Sequence, residues 1–552
     1  MPDTRQLLIC CDGTSNNVTG RNHDTNVIKM LDFFGSDPQQ VVYYDPGVGN
    51  GGVLPGVTWW DKFAMFRDRV LGLALGSGIY ENVAQGYRFV MKEYRPGDEL
   101  YFFGFSRGAF TARCIAGMVR KFGVLPPHMA AMLPTLVHTY FSTRRGEAAK
   151  ALNEALTDQI RRTFARPDSL QMKVHFVGTW DTVKAVGMPF FRKRIAADPS
   201  IKGKAFLHVR QALALDEHRA LFEPRLYGDP NGPVGPGQTM EQLWFPGAHC
   251  DIGGGYQDQD CTGSNAALAW LLDEARQVGL RLYARGELVQ DFAVIEQAVA
   301  TRCQVPPGAP RVHSQIYDMS LWAIAGLWVR ETNAIVNKKV VPGVEHPSAS
   351  QPPLSFPTDT IWRKPRPKAW VALAALATLA TFLFVGRVLT GMSPPGGWFD
   401  LVGYWNLLPQ YLDANGKVAC LQLFWWLDGS GGYSKLQEMT TLVPALFADL
   451  TFIVAYGCFL AWFVARAFAT VAGLNRAATP KSKALNFLGL ALPTAMIADV
   501  AENAMTWAVF ATTNVSFGAS FLAVLMTLAA AVKWISLGGV VALIGWSLVR
   551  RH

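Results

Sequence analysis

The stretch AWVALAALATLATFLFVG, residues 369–386, holds no charged side chain. At about 1.5 Å of rise per residue, a helix of that length crosses most of the ~30 Å hydrocarbon core of a bilayer. Three more apolar runs follow. LVPALFADLTFIVAYGCFLAWFVA (442–465) is interrupted by Asp449. ALNFLGLALPTAMIADVAENAMTWAVF (484–510) carries Asp499 and Glu502, and SFGASFLAVLMTLAAAVKWISLGGVVALIGWSLV (516–549) carries Lys533. These runs predict four membrane spans, at about 369–388, 442–465, 484–510 and 516–549, in an α-helical transmembrane domain over 369–552. Charge in hydrocarbon is costly, so the four ionisable side chains are expected to face the bundle interior and to pair or stay protonated there, Lys533 with Glu502 or Asp499. Of the 552 residues, 50% are hydrophobic and 17% charged, which excludes a disordered or collagen-like chain.

Lys and Arg beside the spans set their expected orientation. Arg363, Lys364, Arg366 and Lys368 precede the first. Arg466, Arg476, Lys481 and Lys483 follow the second, and Arg550 and Arg551 follow the fourth. The 391–441 loop has only Lys417 and Lys435 against Asp400, Asp413, Asp428 and Glu438. With four spans every basic cluster falls on one side. The reading is a multi-pass protein of a bacterial-type inner (plasma) membrane, with residues 1–368 cytoplasmic. The net charge of +9 is accounted for by such loops, and no nucleic-acid partner is expected.

Residues 1–335 have a different pattern. Leu7–Cys11, Val41–Tyr44, Glu99–Phe103, Lys173–Val177 and Gln242–Phe245 read as strands, and helical periodicity fits about 78–93, 107–122, 128–142, 146–164, 206–218 and 264–278. Such alternation predicts a mostly parallel sheet with helices on both faces, whose sites lie at the strand carboxyl ends. Residues 336–368, rich in proline and serine and ending in a basic cluster, read as a linker. Met1 is followed by no signal-peptide core, since Asp12 closes the short LLICC run. The eight cysteines form no CxxC pair, so neither a zinc ribbon nor a thioredoxin-like redox site is indicated, and no metal is assigned to the site.

The sharpest local signal is Gly104-Phe105-Ser106-Arg107-Gly108. It follows the strand ELYFF and opens the helix AFTARCIAGMVRKF. A strand–GxSxG–helix turn lifts a serine hydroxyl above the sheet, and the tight turn requires Gly104 and Gly108 to be small. Such a hydroxyl needs a base held by an acid. In the order Ser, acid, His, the strand ends offer Asp181 in GTWDTV and His249 in PGAHCDIGGGY. Asp251 competes for the acid, and His175, His218 and His313 for the base. The oxyanion hole is expected from the Arg107 amide and from the loop after the first strand, with Gly13 or Thr14 as second donor. Asp12 would orient that loop or bind a cation.

Taken together, CDGTSNN, GFSRGAFTAR, GTWDTV, ALALDEHRALFEP and WFPGAHCDIGGGY resemble the successive signature blocks of an α/β-hydrolase family. Its best-known members are type VI secretion lipase effectors with phospholipase A activity. The resemblance covers residues 5–330 and does not extend to the spans. It implies that Ser106 is the nucleophile, Asp181 the acid and His249 the base, with no cofactor. It assigns no catalytic role to the ALALDEHRALFEP block, for which packing around the site is the expectation. The expected activity is that of a membrane-anchored serine esterase or lipase acting on a membrane lipid. Two alternatives stand beside it: an exported antibacterial phospholipase whose spans enter a target membrane, and a ligand-sensing hydrolase-like domain coupled to a transport or signalling bundle.

Overall fold

The computed structural model describes residues 4–13, 24–35, 37–47, 77–142, 147–183, 205–227, 235–256, 262–303, 320–330, 334–336, 339–341, 344–346, 369–390, 442–473, 480–511 and 517–549. Thr14, His313, the basic cluster at 363–368, the 391–441 segment and Arg550–Arg551 lie outside these. The chain divides into two compact units. One is Met1–Glu217, Leu221–Ser314 and Arg330–Ser355, and the other is His218–Ala220, Gln315–Val329 and Phe356–His552.

The first unit is built on a seven-stranded sheet, parallel throughout. Its strands are β1 (Gln6–Cys11), β2 (Gln40–Asp45), β3 (Glu99–Phe105), β4 (Val174–Trp180), β5 (Phe206–Ala214), β6 (Thr239–Phe245) and the short β7 (Val344–Glu345), in the order β7-β6-β5-β4-β3-β1-β2. The strands read as unbroken apolar runs because both faces are covered. Leu7, Ile9 and Cys11 enter one core, with Phe102 and the helices Ser77–Glu93 and Ser106–Phe122. Leu8 and Cys10 enter the other, with Tyr101, Phe103 and helix Thr262–Gln277. All five strands expected from the sequence are present. Register pairs Cys11 with Gly104, Phe105 with Trp180, and Trp180 with Ala212, so the carboxyl ends of β1, β3, β4 and β5 lie level along one edge.

Two segments of the first unit depart from expectation. Within 336–368, read as a linker, Lys339–Val341 is strand and Val344–Glu345 joins the sheet as β7 beside β6. Residues 206–218 were expected to be helical, but Phe206–Ala214 is β5, between β4 and β6. A short apolar run with both faces buried lacks the alternation that marks a strand, and periodicity alone does not separate it from a buried helix. Its polar residues are spent in the fold: His208 Nδ1 lies 2.9 Å from Thr239 Oγ1. Arg210 pairs with Glu274 at 2.5 Å, and Gln211 accepts from Thr179 (3.1 Å) and Thr182 (2.7 Å).

The second unit is helical: Ala369–Thr390, Leu442–Gly473, Pro480–Gly489, Ala491–Ala511 and Phe517–Val549. Each expected span falls on helix. Among the described residues, Asp449–Ala472 and Ala531–Val549 are long and apolar enough to cross a membrane. Lys483–Gly489 and Ala491–Met505 form a third such stretch if their 41° bend lies within one span, and Val371–Leu383 is shorter. The ionisable side chains point inward. Lys533 Nζ reaches Asp499 Oδ1 at 3.0 Å and Glu502 Oε2 at 2.7 Å. Tyr456 Oη donates to Asp499 Oδ2 at 3.0 Å, and Asn503 Nδ2 to Asp449 Oδ2 at 2.6 Å. Leu373, Leu376, Val454, Ile535 and Val541 point outward and are exposed. Arg466, taken from the sequence as a cation flanking a span, is instead buried within its helix, its guanidinium 3.9 Å from the Trp462 ring centroid. Nothing breaks that helix before Gly473, so it runs past the expected boundary.

Candidate functional site

Ser106 stands where β3 turns into helix Ser106–Phe122, with φ +58°. The left-handed region is costly for a residue with a β-carbon, and such strain concentrates at functional sites. The turn is possible because Gly104 and Gly108 lack side chains. A β-carbon on Gly104 would lie 2.7 Å from backbone atoms of Ala109, and one on Gly108 would lie 2.2 Å from the Asp12 carbonyl oxygen. Asp181, just past β4, also has a positive φ, +39°. Of the described residues only Arg285 joins these two as a non-glycine in that region.

His249 opens the short helix His249–Gly253 after β6. Its Nε2 is 2.7 Å from Ser106 Oγ, and its Nδ1 is 2.5 Å from Asp181 Oδ2. Hydroxyl, imidazole and carboxylate thus form one hydrogen-bonded line across the ends of β3, β6 and β4. All three are buried: Ser106 is 7% exposed, His249 4% and Asp181 0%. The Phe105 and Phe222 rings flank the imidazole, at centroid distances of 4.6 and 4.9 Å. Such a line can transfer a proton from the hydroxyl to the imidazole while the carboxylate fixes the ring's tautomer.

The ALALDEHRALFEP block braces the histidine. Asp216 Oδ2 accepts from the Gly247 amide at 2.7 Å, and the Asp216 amide donates to the Gly247 carbonyl at 2.9 Å. Glu217 Oε2 accepts from the His249 amide at 3.2 Å. Packing was the sequence expectation for this block, and the contacts are specific polar ones made after β5. A further residue, Arg330, had no sequence signal. Its Nη1 donates to Asp181 Oδ1 at 2.6 Å and its Nη2 to Oδ2 at 2.9 Å, while the Ala214 amide donates to Oδ1 at 3.0 Å. Burial pushes the Asp181 carboxyl up, but Arg330 and then His249 outweigh it, and the net direction is down.

The remaining candidates sort by distance from this line. Asp251 Oδ2 accepts from the Ala248 amide at 2.8 Å, holding the start of the short helix. His175 lies along β4, bonded through Nε2 to the Val278 carbonyl at 2.7 Å. His218 groups with the helical unit, where its ring meets Phe468. Arg107 follows Ser106 in the first helical turn, where backbone amides lack intrahelical acceptors. The Gly13 amide, expected to point at an oxyanion, donates to Asp12 Oδ1 at 2.6 Å. Asp12 Oδ2 accepts from Thr25 (2.7 Å) and Tyr44 (3.0 Å), so this carboxylate ties the end of β1 to Thr25 and to β2. Among the described residues no group of His, Cys, Asp and Glu is arranged to hold a metal ion. Cys10 and Cys11 end β1 beside the site, but burial pushes both thiols up, which disfavours a thiolate there.

Residues 5–274 match the family model described as T6SS, Phospholipase effector Tle1-like, catalytic domain. This bears out the resemblance carried by the sequence blocks. The chain is also similar to the uncharacterized protein YEL023C of Saccharomyces cerevisiae, with 30% identity over 224 residues, 40% of this chain and 32% of the relative. The match therefore spans about a third of the length of that curated relative.

Proposed function

We propose, with the family match as premise, that this chain is a membrane-anchored serine hydrolase that cleaves a carboxylic ester of a phospholipid or related lipid. The observation that carries the reading is the placement of His249, with one ring nitrogen on Ser106 and the other on Asp181. Ser106 Oγ attacks the ester carbonyl carbon, and His249 Nε2 takes its proton. Asp181 holds Nδ1–H and balances the imidazolium. The tetrahedral oxyanion is met by backbone amides of the turn, Arg107 first among them. As it collapses, His249 gives its proton to the departing alcohol. Water, activated by the same imidazole, then releases the acid from the acyl-serine.

The chemistry is tested by reacting the purified protein with a fluorophosphonate probe and then offering it phospholipids and short-chain esters. Labelling should occur at Ser106 and vanish in Ser106→Ala. Label on another residue would refute the assignment.

Membrane anchoring is supported by helices that are apolar outside and hold their ions inside, the inverse of a soluble bundle. Anchoring would keep the site near its lipid substrate and raise the local substrate concentration. With the hydrolase unit cytoplasmic, and Cys420 replaced by serine in both variants, Trp425→Cys reacts with an impermeant thiol reagent in intact cells and Arg551→Cys does not. The reverse result would favour a second reading, suggested by the family description: an effector exported to act on another cell's membrane.

A further inference from the structure

Arg330 is 7% exposed and its guanidinium is held on four acceptors. Besides the two Asp181 oxygens, Nη1 donates to the Ala214 carbonyl at 2.8 Å and Nη2 to the Phe222 carbonyl at 2.6 Å. Ala214 ends β5, and the Phe222 ring stands edge-on to the His249 imidazole. The fork is thus fixed by backbone oxygens on two segments that also border the histidine. Nε, which faces no acceptor, is buried without a partner. The placement satisfies the carboxylate more fully than it satisfies the arginine.

The chemistry explains why a full cation belongs there. A wholly buried carboxylate with only a backbone amide and an uncharged imidazole for company disfavours its charge and tends to take up a proton. It then offers no counter-charge to the imidazolium formed when Ser106 attacks. If it stays ionised and unshared, it draws a solvent proton onto the imidazole, which can no longer accept the one on Ser106. A guanidinium on both oxygens meets both problems, since it keeps the carboxylate ionised and divides its charge.

We propose that Arg330 is a positioning residue for the hydrolytic reaction: its bidentate grip keeps Asp181 ionised and aimed at His249, and lowers the proton affinity of the His249–Asp181 pair. The proposal rests on the serine-hydrolase reading. Three acids also bond backbone amides around His249: Glu217 on its own amide, Asp216 on Gly247 and Asp251 on Ala248. Each raises the proton affinity that Arg330 lowers.

The test is the pH dependence of fluorophosphonate labelling at Ser106 in the full chain, held in detergent. Arg330→Gln keeps N–H donors and removes the charge, so the acid limb should move to higher pH by about one unit or more. Arg330→Lys keeps the charge and loses the fork. Its limb should stay near the wild-type position while its plateau rate falls about ten-fold. An unmoved limb in Arg330→Gln overturns the proposal. If that variant does not fold, a folded Arg330→Lys labelled at the wild-type rate overturns it instead. Failure of the underlying reading is separate, because the wild-type protein would then carry no label on Ser106, whatever residue 330 is.

Discussion

A β-carbon on Gly108 would stand 2.2 Å from the Asp12 carbonyl oxygen and 2.3 Å from that of Cys11. The helix that begins at Ser106 is thereby seated directly on the end of β1, backbone against backbone. Two elements nearly a hundred residues apart meet where a missing side chain permits it. Neither obstructing atom belongs to a side chain that could swing away. Gly108→Ala is therefore expected to destabilise the sheet-bearing unit by about 1–3 kcal/mol and to misplace Ser106. Denaturant unfolding in detergent and the rate of serine labelling should both register the change.

Ser106 is held at φ +58°, so removing its side chain in two ways should give two stabilities. Ser106→Ala keeps the β-carbon and its strain. Ser106→Gly releases it, and should be the more stable by about 0.5–1 kcal/mol net of its extra chain entropy. Both variants should be inactive. Equal unfolding midpoints would argue that the turn is unstrained.

Glu217 accepts from the backbone amide of His249. Glu217→Ala should therefore lower kcat about ten-fold, through misplacement of the imidazole, and leave KM near its wild-type value. A change confined to KM in steady-state ester hydrolysis would place Glu217 in substrate binding instead.

The Asp181 carboxyl is held below the usual carboxylate range, because Arg330 and His249 together outweigh the effect of burial. Its contribution to stability is thus fully present above the unfolded carboxylate value of about 3.9 and is lost as pH falls through the lower folded value. Stability should decline on acidification below about pH 5 more steeply in wild type than in Asp181→Asn. Only the slopes are compared, since Asp181→Asn also leaves Arg330 without its counter-charge at every pH. Parallel slopes in unfolding curves from pH 6 downward would contradict this.

Lys533 serves two carboxylates at once, Asp499 and Glu502. Lys533→Met leaves both without their cation inside the helical unit and should cost about 3–5 kcal/mol. Lys533→Arg should cost less, because it restores the charge. Thermal unfolding in detergent distinguishes them, and equal losses would mean that packing rather than charge matters at this position.

The sequence by itself determined the parts that local chemistry writes down. Five strands were legible because each is a compact apolar run closed by turn residues. The elbow at Ser106 was legible because two glycines flank a serine between a strand and a helix. Asp181 and His249 were legible because each lies just past a strand end, where parallel sheets gather polar side chains, and the family match lies over the same blocks. Tertiary structure decided the rest. Phe206–Ala214 is a strand because β4 and β6 bind its two edges, and no pattern within the segment marks that. Gly13 turned its amide to Asp12, whose carboxylate Thr25 and Tyr44 hold from other segments. Asp216, Glu217 and Arg330 join the site through contacts that span 31 to 149 residues of chain. Their sequence neighbours carry no trace of those contacts, because a polar side chain acquires a role only from what the fold brings to it. A motif records what a short segment must be in order to bend, and the partners that hold its charge in place come from segments free to lie anywhere in the sequence.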